Sequence, residues 1–129
     1  MKFGLSDTVI NRIRFAFSNV PEIEKVLIYG SRAIGTNRAG SDIDLTIIGD
    51  VPFEQFNRLT AEIDDLNLLY KTDLSLHHHI ENLDLLDHIE RVGKVFYQRG
   101  DKKVKETERR ITPARENGSE RFRVFYGDR

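Results

Sequence analysis

No cysteine occurs among the 129 residues, which excludes disulfides, zinc–thiolate sites and thiol nucleophiles. A basic excess is missing too, since 20 Lys and Arg face 21 Asp and Glu for a formal net charge of −1. Duplex-binding proteins carry a clear positive footprint, so this balance argues against nucleic acid as a partner. Long apolar runs are also absent. No window approaches the roughly 18 apolar residues of a membrane span, and Met1 to Asp7 lacks the apolar stretch of a secretion signal. The expectation is a cytoplasmic protein with no membrane partner. No internal repeat is visible. What remains is 39% hydrophobic and 32% charged residues, the make-up of an ordinary globular chain long enough for one modest core.

Helical and extended patterns alternate along the chain. Ser6 or Asp7 can cap a first helix carrying Val9, Ile10, Ile13 and Phe17 at helical spacing, with Pro21 marking its exit. Lys25 to Tyr29 reads as a buried strand ending at Gly30. Ser31 to about Arg38 can hold a short helix before the Ala39-Gly40 loop, and Asp42 to Ile48 forms a second strand stopped by Gly49-Asp50 and Pro52. Phe53, Phe56, Leu59, Ile63 and Leu66 define one face of a second long helix. Thr72 to about His77 is a third strand. Asn82 caps a last helix with Leu83, Leu86 and Ile89, Gly93 fits its C′ position, and Lys94 to Tyr97 closes the pattern as a strand. The order predicts an α/β (α+β) fold in which helices pack on one small mixed sheet.

Composition shifts after Gly100. Residues 101–129 hold nine Lys or Arg and six Asp or Glu, whereas residues 1–100 hold eleven and fifteen. The expected organisation is a domain over 1–100 and a charged tail over 101–129. That tail is either solvated and flexible or a docking arm in which Phe122, Val124 and Tyr126 line a short added strand.

The chemistry concentrates between Tyr29 and Leu45. Gly30-Ser31 follows an apolar strand, and ten residues later Asp42-Ile43-Asp44 opens the next. Alternation along a strand sends Asp42 and Asp44 to one face and Ile43 and Leu45 to the core. Two carboxylates so close repel, and a divalent cation resolves the conflict. Mg²⁺ takes one or two carboxylates and fills its shell with phosphates and water, and a second ion about 4 Å away would complete a two-metal arrangement. Glycine at position 30 lets a phosphate approach the backbone without a Cβ in the way. Ser31 adds a hydroxyl beside amides that can point at an anion. Arg32 and Arg38 are candidate phosphate partners. The reading is a site for a metal-bound nucleoside triphosphate.

Asp73 supplies a third carboxylate. It lies early in the strand Thr72 to Leu76, whose Leu74 and Leu76 point to the opposite face. Beside the Asp42/Asp44 strand it would join the metal cluster and accept or orient the nucleophile's proton. In an extended His77-His78-His79 run, His77 and His79 would share the face of Asp73. A consecutive triplet supplies no three convergent nitrogens, so the expectation is a strand end without zinc.

Gly30-Ser31, Asp42-Ile43-Asp44 and Asp73 together resemble the signature of minimal nucleotidyltransferases (MNT) of the polymerase-β-like superfamily. Ser41, Leu45 and the run from Leu83 to Tyr97 extend the similarity over roughly residues 5 to 100. Ile34 stands where many such proteins carry a basic residue. The resemblance implies a palm-like nucleotidyltransferase fold, with Gly30, Ser31 and Arg32 binding nucleotide and Asp42, Asp44 and Asp73 catalytic and metal-binding. It further implies one or two Mg²⁺ ions, ATP as substrate, and an antitoxin that moves AMP onto a tyrosine of a HEPN-domain toxin. Two alternatives stay open: transfer to a small molecule such as an aminoglycoside, and masking of a toxin without catalysis. Size favours a protein acceptor, because about 100 residues leave little chain to grip one unaided.

Overall fold

A computed structural model describes residues 2–66 and 68–100, which fall within a compact unit spanning Met1–Arg99 and the residue after it. The expected tail over 101–129, with its Phe122, Val124 and Tyr126 strand, lies outside the described residues. The element order is α1 (Asp7–Ser18), β1 (Ile23–Tyr29), α2 (Ser31–Ile34), β2 (Ile43–Gly49), α3 (Phe53–Asp64), β3 (Thr72–Leu76), a 3₁₀ turn (His77–His79), α4 (Leu83–Val92) and β4 (Lys94–Gln98). The four strands form one sheet in the order β3-β2-β1-β4. β1 runs antiparallel to both β2 and β4, whereas β2 and β3 are parallel. Parallel neighbours need a crossover connection, and α3 supplies it. The sheet is mixed, as the element pattern predicts.

The core-facing side of β1 and β2 is apolar. Val26 and Ile28 of β1 and Ile43, Leu45 and Ile47 of β2 are completely buried. They share a core with Ile10, Ile13 and Phe17 of α1 and Leu59 and Ile63 of α3. These are the residues that helical and strand periodicity place inward. Ser6 caps α1 by accepting the Val9 N–H, and Asn82 caps α4 by accepting the Leu85 N–H. Both satisfy amides that no intrahelical carbonyl can reach.

Several local expectations change. β1 begins at Ile23, two residues earlier than Lys25, and Asp42 precedes β2 instead of opening it. The short helix stops at Ile34 because Gly35 adopts φ +97°, a left-handed cap that ends the helix before Arg38. Phe53 is 64% exposed at the start of α3, stacked on Phe56 instead of entering the core. Leu83 is likewise exposed, leaving Ile89 as the buried anchor of α4. Gly93 caps α4 at φ −61°, so it needs no left-handed backbone. Its requirement is space, because a Cβ there would press on the Ile89 carbonyl. The third strand ends at Leu76, and His77–His79 coil into a 3₁₀ turn, so strict alternation no longer assigns His77 and His79 to the face of Asp73.

Candidate active site

Sheet register assembles the site. Tyr29 of β1 pairs with Asp44 of β2, and Asp44 pairs with Asp73 of β3. Directly opposite residues point to the same side of a sheet, so these three stand in one row on the face opposite the Val26, Ile28, Leu45 core. Ser75 lies two residues beyond Asp73 and donates to the Thr46 hydroxyl at 3.0 Å. Tyr29 lies close enough to the Ser75 side chain for it to favour the ionised phenol. Asp42, one step before β2, adds its charge to the row.

The electrostatics record that crowding. Burial is the main reason the Asp44 carboxyl is raised above its ordinary range, and the neighbouring Asp73 and Asp42 push it further. His88 and Arg32 pull the other way. Tyr29 is also held above its usual value by burial and by Asp44 and Asp73, partly offset by Ser75. Asp42 and Asp73 are exposed, whereas Asp44 is half-buried. Among the described residues the one side-chain ion pair is Arg91 with Asp87 on the surface of α4, so no basic side chain is paired with any of the three carboxylates.

Gly30 and Ser31 form the turn out of β1. Gly30 holds φ +74°, and a Cβ at that position would collide with Oδ2 of Asp44. The glycine therefore lets the turn close directly on the central carboxylate. Ser31 and Arg32 open α2, where their amides have no intrahelical acceptor. The side chain of Arg32, expected to contact phosphate, turns inward in this structure. It is 2% exposed, its Nη1 donates to the Phe3 and Gly4 carbonyls at 2.9 and 3.3 Å, and its Nε and Nη2 donate to the Ser41 carbonyl at 3.2 and 2.9 Å. Its guanidinium also lies 4.8 Å from the Tyr70 ring centre. The inward turn has a physical reason: Phe3 and Gly4 both have positive φ in the tight Lys2–Leu5 turn, which leaves their carbonyls for Arg32 to satisfy. Ser41 fixes the other side, its hydroxyl accepting the Arg38 N–H at 2.8 Å. Arg32 thus ties the N-terminal turn to the loop that delivers Asp42.

A turn that closes on a carboxylate, with two further carboxylates beside it, meets a family description. The family model "Polymerase beta, Nucleotidyltransferase" matches residues 11–102. The chain belongs to this nucleotidyltransferase family. No curated protein matches the sequence. Among solved structures, a chain of a toxin–antitoxin crystallised with AMP-PNP is 19% identical, with 75% of this chain and 77% of that one covered at a TM-score of 0.55. A mutant of the toxin–antitoxin MntA–HpeT is 15% identical over 75% and 76%, with a TM-score of 0.53. A tri-AMPylated Shewanella oneidensis HEPN toxin in complex with MNT antitoxin gives 16% identity over 73% and 73%, with a TM-score of 0.53. At these identities the likeness establishes a common fold.

Within this nucleotidyltransferase domain, three residues escaped the sequence reading. Tyr29 and Ser75 share faces with Asp44 and Asp73 by simple alternation, a signal that was available. His88 had none, because its place depends on how α4 lies against β1. Its Nε2 accepts the Gly30 N–H at 3.1 Å, and its ring stands edge-on to Tyr29 with centres 6.1 Å apart.

Proposed function

We propose that this nucleotidyltransferase moves AMP from ATP to a hydroxyl of a partner protein, a tyrosine of a HEPN-domain toxin, and so acts as its antitoxin. The observation that carries the transfer reading is the Tyr29–Asp44–Asp73 row with Asp42 beside it and the Gly30 turn closed on Asp44. The assignment of partner draws on the printed descriptions of its structural neighbours, a toxin–antitoxin with AMP-PNP and an AMPylated HEPN toxin with its MNT antitoxin.

The donor set suits a hard divalent cation such as Mg²⁺. Asp44 is destabilised as an anion by burial and by two like charges, a burden a cation relieves. Among the described residues no three acidic or histidine groups converge tightly enough to hold an ion by protein ligands alone. Mg²⁺ keeps part of its shell for substrate phosphates and water. Asp42 and Asp44 would hold it, with Asp73 as third ligand or base, and when bound it would neutralise charge developing on the phosphates.

The chain's own groups divide the remaining work. Gly30 and Ser31 seat the triphosphate through backbone amides and the Ser31 hydroxyl. Asp73, exposed at the sheet edge where an acceptor can arrive, accepts the proton of the attacking hydroxyl or orients it. The hydroxyl oxygen bonds to the α-phosphorus, the α–β bridge breaks, and pyrophosphate leaves. Incubation with Mg²⁺ and labelled ATP should label a HEPN partner and leave an aminoglycoside unlabelled. Label on the aminoglycoside with the partner absent would move the acceptor to small molecules. Neutralisation of the partner that survives Asp42→Asn plus Asp44→Asn would make masking the function.

A further inference from the structure

The one imidazole touching the phosphate-binding turn belongs to α4, and nothing in the transfer chemistry above uses it. We propose that His88 is a positioning residue of the nucleotide site, holding the Gly30 peptide in the orientation that seats the triphosphate beside Asp44. This inference rests on the nucleotidyl-transfer reading and deepens it. Tyr29 is the last residue of β1 paired with β2, so the Gly30 N–H leaves the ladder without a sheet acceptor. His88 Nε2 takes that bond at 3.1 Å. Accepting that bond uses the lone pair of Nε2 and leaves the ring N–H on Nδ1.

The chemistry of the acceptor is selective. A carboxylate at position 88 would add a fourth negative charge to Asp42, Asp44 and Asp73, and Lys or Arg has no lone pair to offer. An imidazole nitrogen accepts the N–H without adding anionic charge. The ring itself is held in place, because α4 is capped by Asn82, anchored by buried Ile89, and set edge-on against Tyr29 at 80°. Gly30 transmits the effect. Its φ of +74° leaves its Cα face against Asp44 Oδ2, so a turn of the Gly30 peptide moves both the amides that follow and the carboxylate it abuts.

His88→Phe keeps the ring and its contact with Tyr29 but removes the acceptor, whereas His88→Gln restores an acceptor oxygen at similar reach. Loss of one hydrogen bond with an N–H left unpaired predicts about tenfold weaker binding of Mg·ATP by His88→Phe, measured by calorimetry. Hydrogen exchange at the Gly30 amide should quicken in the same variant, and His88→Gln should stay within about twofold of wild type on both readouts. Should His88→Phe fail to fold, His88→Asn, whose amide stops short of Gly30, replaces it in the comparison with His88→Gln. Equal affinity in the acceptor-lacking variant, or no recovery with His88→Gln, overturns the role of His88 alone. Wild-type protein that binds Mg·ATP yet transfers nothing to a HEPN partner overturns the transfer reading while leaving the seat intact. Wild-type protein that binds no nucleotide overturns both.

Discussion

Asp44 is the residue on which stability and chemistry conflict. Its carboxyl is raised in the folded protein by burial first, then by Asp73 and Asp42. A raised folded value means that folding is favoured while the group is protonated, and that this stability is lost as pH rises through the elevated value. Asp44→Asn should therefore melt higher than wild type at neutral pH, by about 2–5 °C, and the gap should close as pH falls below the ordinary carboxyl range. The same substitution should abolish nucleotidyl transfer, and saturating Mg²⁺ should raise the melting temperature of wild type but not of the variant. Thermal scans across pH, with and without the ion, check all of this. Gly30→Ala makes a second residue-scale case. Its Cβ meets Asp44 Oδ2 on a positive-φ backbone open almost only to glycine, so it should cost about 1–3 kcal/mol in urea unfolding and weaken nucleotide binding. Both residues were legible in the sequence, because a glycine before Ser31 and an Asp-x-Asp ten residues on have few other uses. Their contact was not, since it depends on which residue of β1 faces Asp44 in the register.

At the level of elements, the sheet carries the site and the loops tune it. Period-2 and period-3.6 patterns located all four strands and the three long helices, because apolar residues such as Ile13, Ile28, Leu45 and Leu59 are buried where periodicity puts them. The failures lie where backbone geometry overrides pattern. Gly35 ended α2 early through its positive φ, and the histidine triplet coiled into a 3₁₀ turn after β3. Arg32 shows the same limit. Its position after Gly30-Ser31 suggests a phosphate contact, but the positive-φ turn at Phe3-Gly4 presents carbonyls that only the folded chain brings near. Its task is to join that turn to the Ser41 loop. Arg32→Leu should destabilise the domain by about 2–4 kcal/mol, because it removes a buried guanidinium and leaves partly buried carbonyls unpaired. Denaturant melts measure that cost directly. A variant that stays as stable as wild type but loses affinity for ATP would return Arg32 to the phosphate role.

At the scale of the whole domain, four arginines among the described residues hold the frame. Arg12, Arg14, Arg32 and Arg99 all donate to main-chain carbonyls, reaching Leu66, Phe96, Ser41 and Ile23 respectively. Residues 1–100 remain acidic overall, which fits a domain whose anionic substrate arrives with a cation. The proposed triphosphate seat and the three carboxylates occupy one end of the sheet, and a partner surface could supply the acceptor's orientation. Only resemblance suggests a partner, since no residue pattern within the chain names the surface it would meet. Transfer to a second protein by this carboxylate set is what remains to be measured. The direct test is the intact mass of a HEPN-domain partner after incubation with Mg·ATP and either wild type or Asp42→Asn. Gain of whole AMP units with wild type, and none with the variant, is the predicted result. An unmodified partner with wild type, or equal modification with Asp42→Asn, would contradict it.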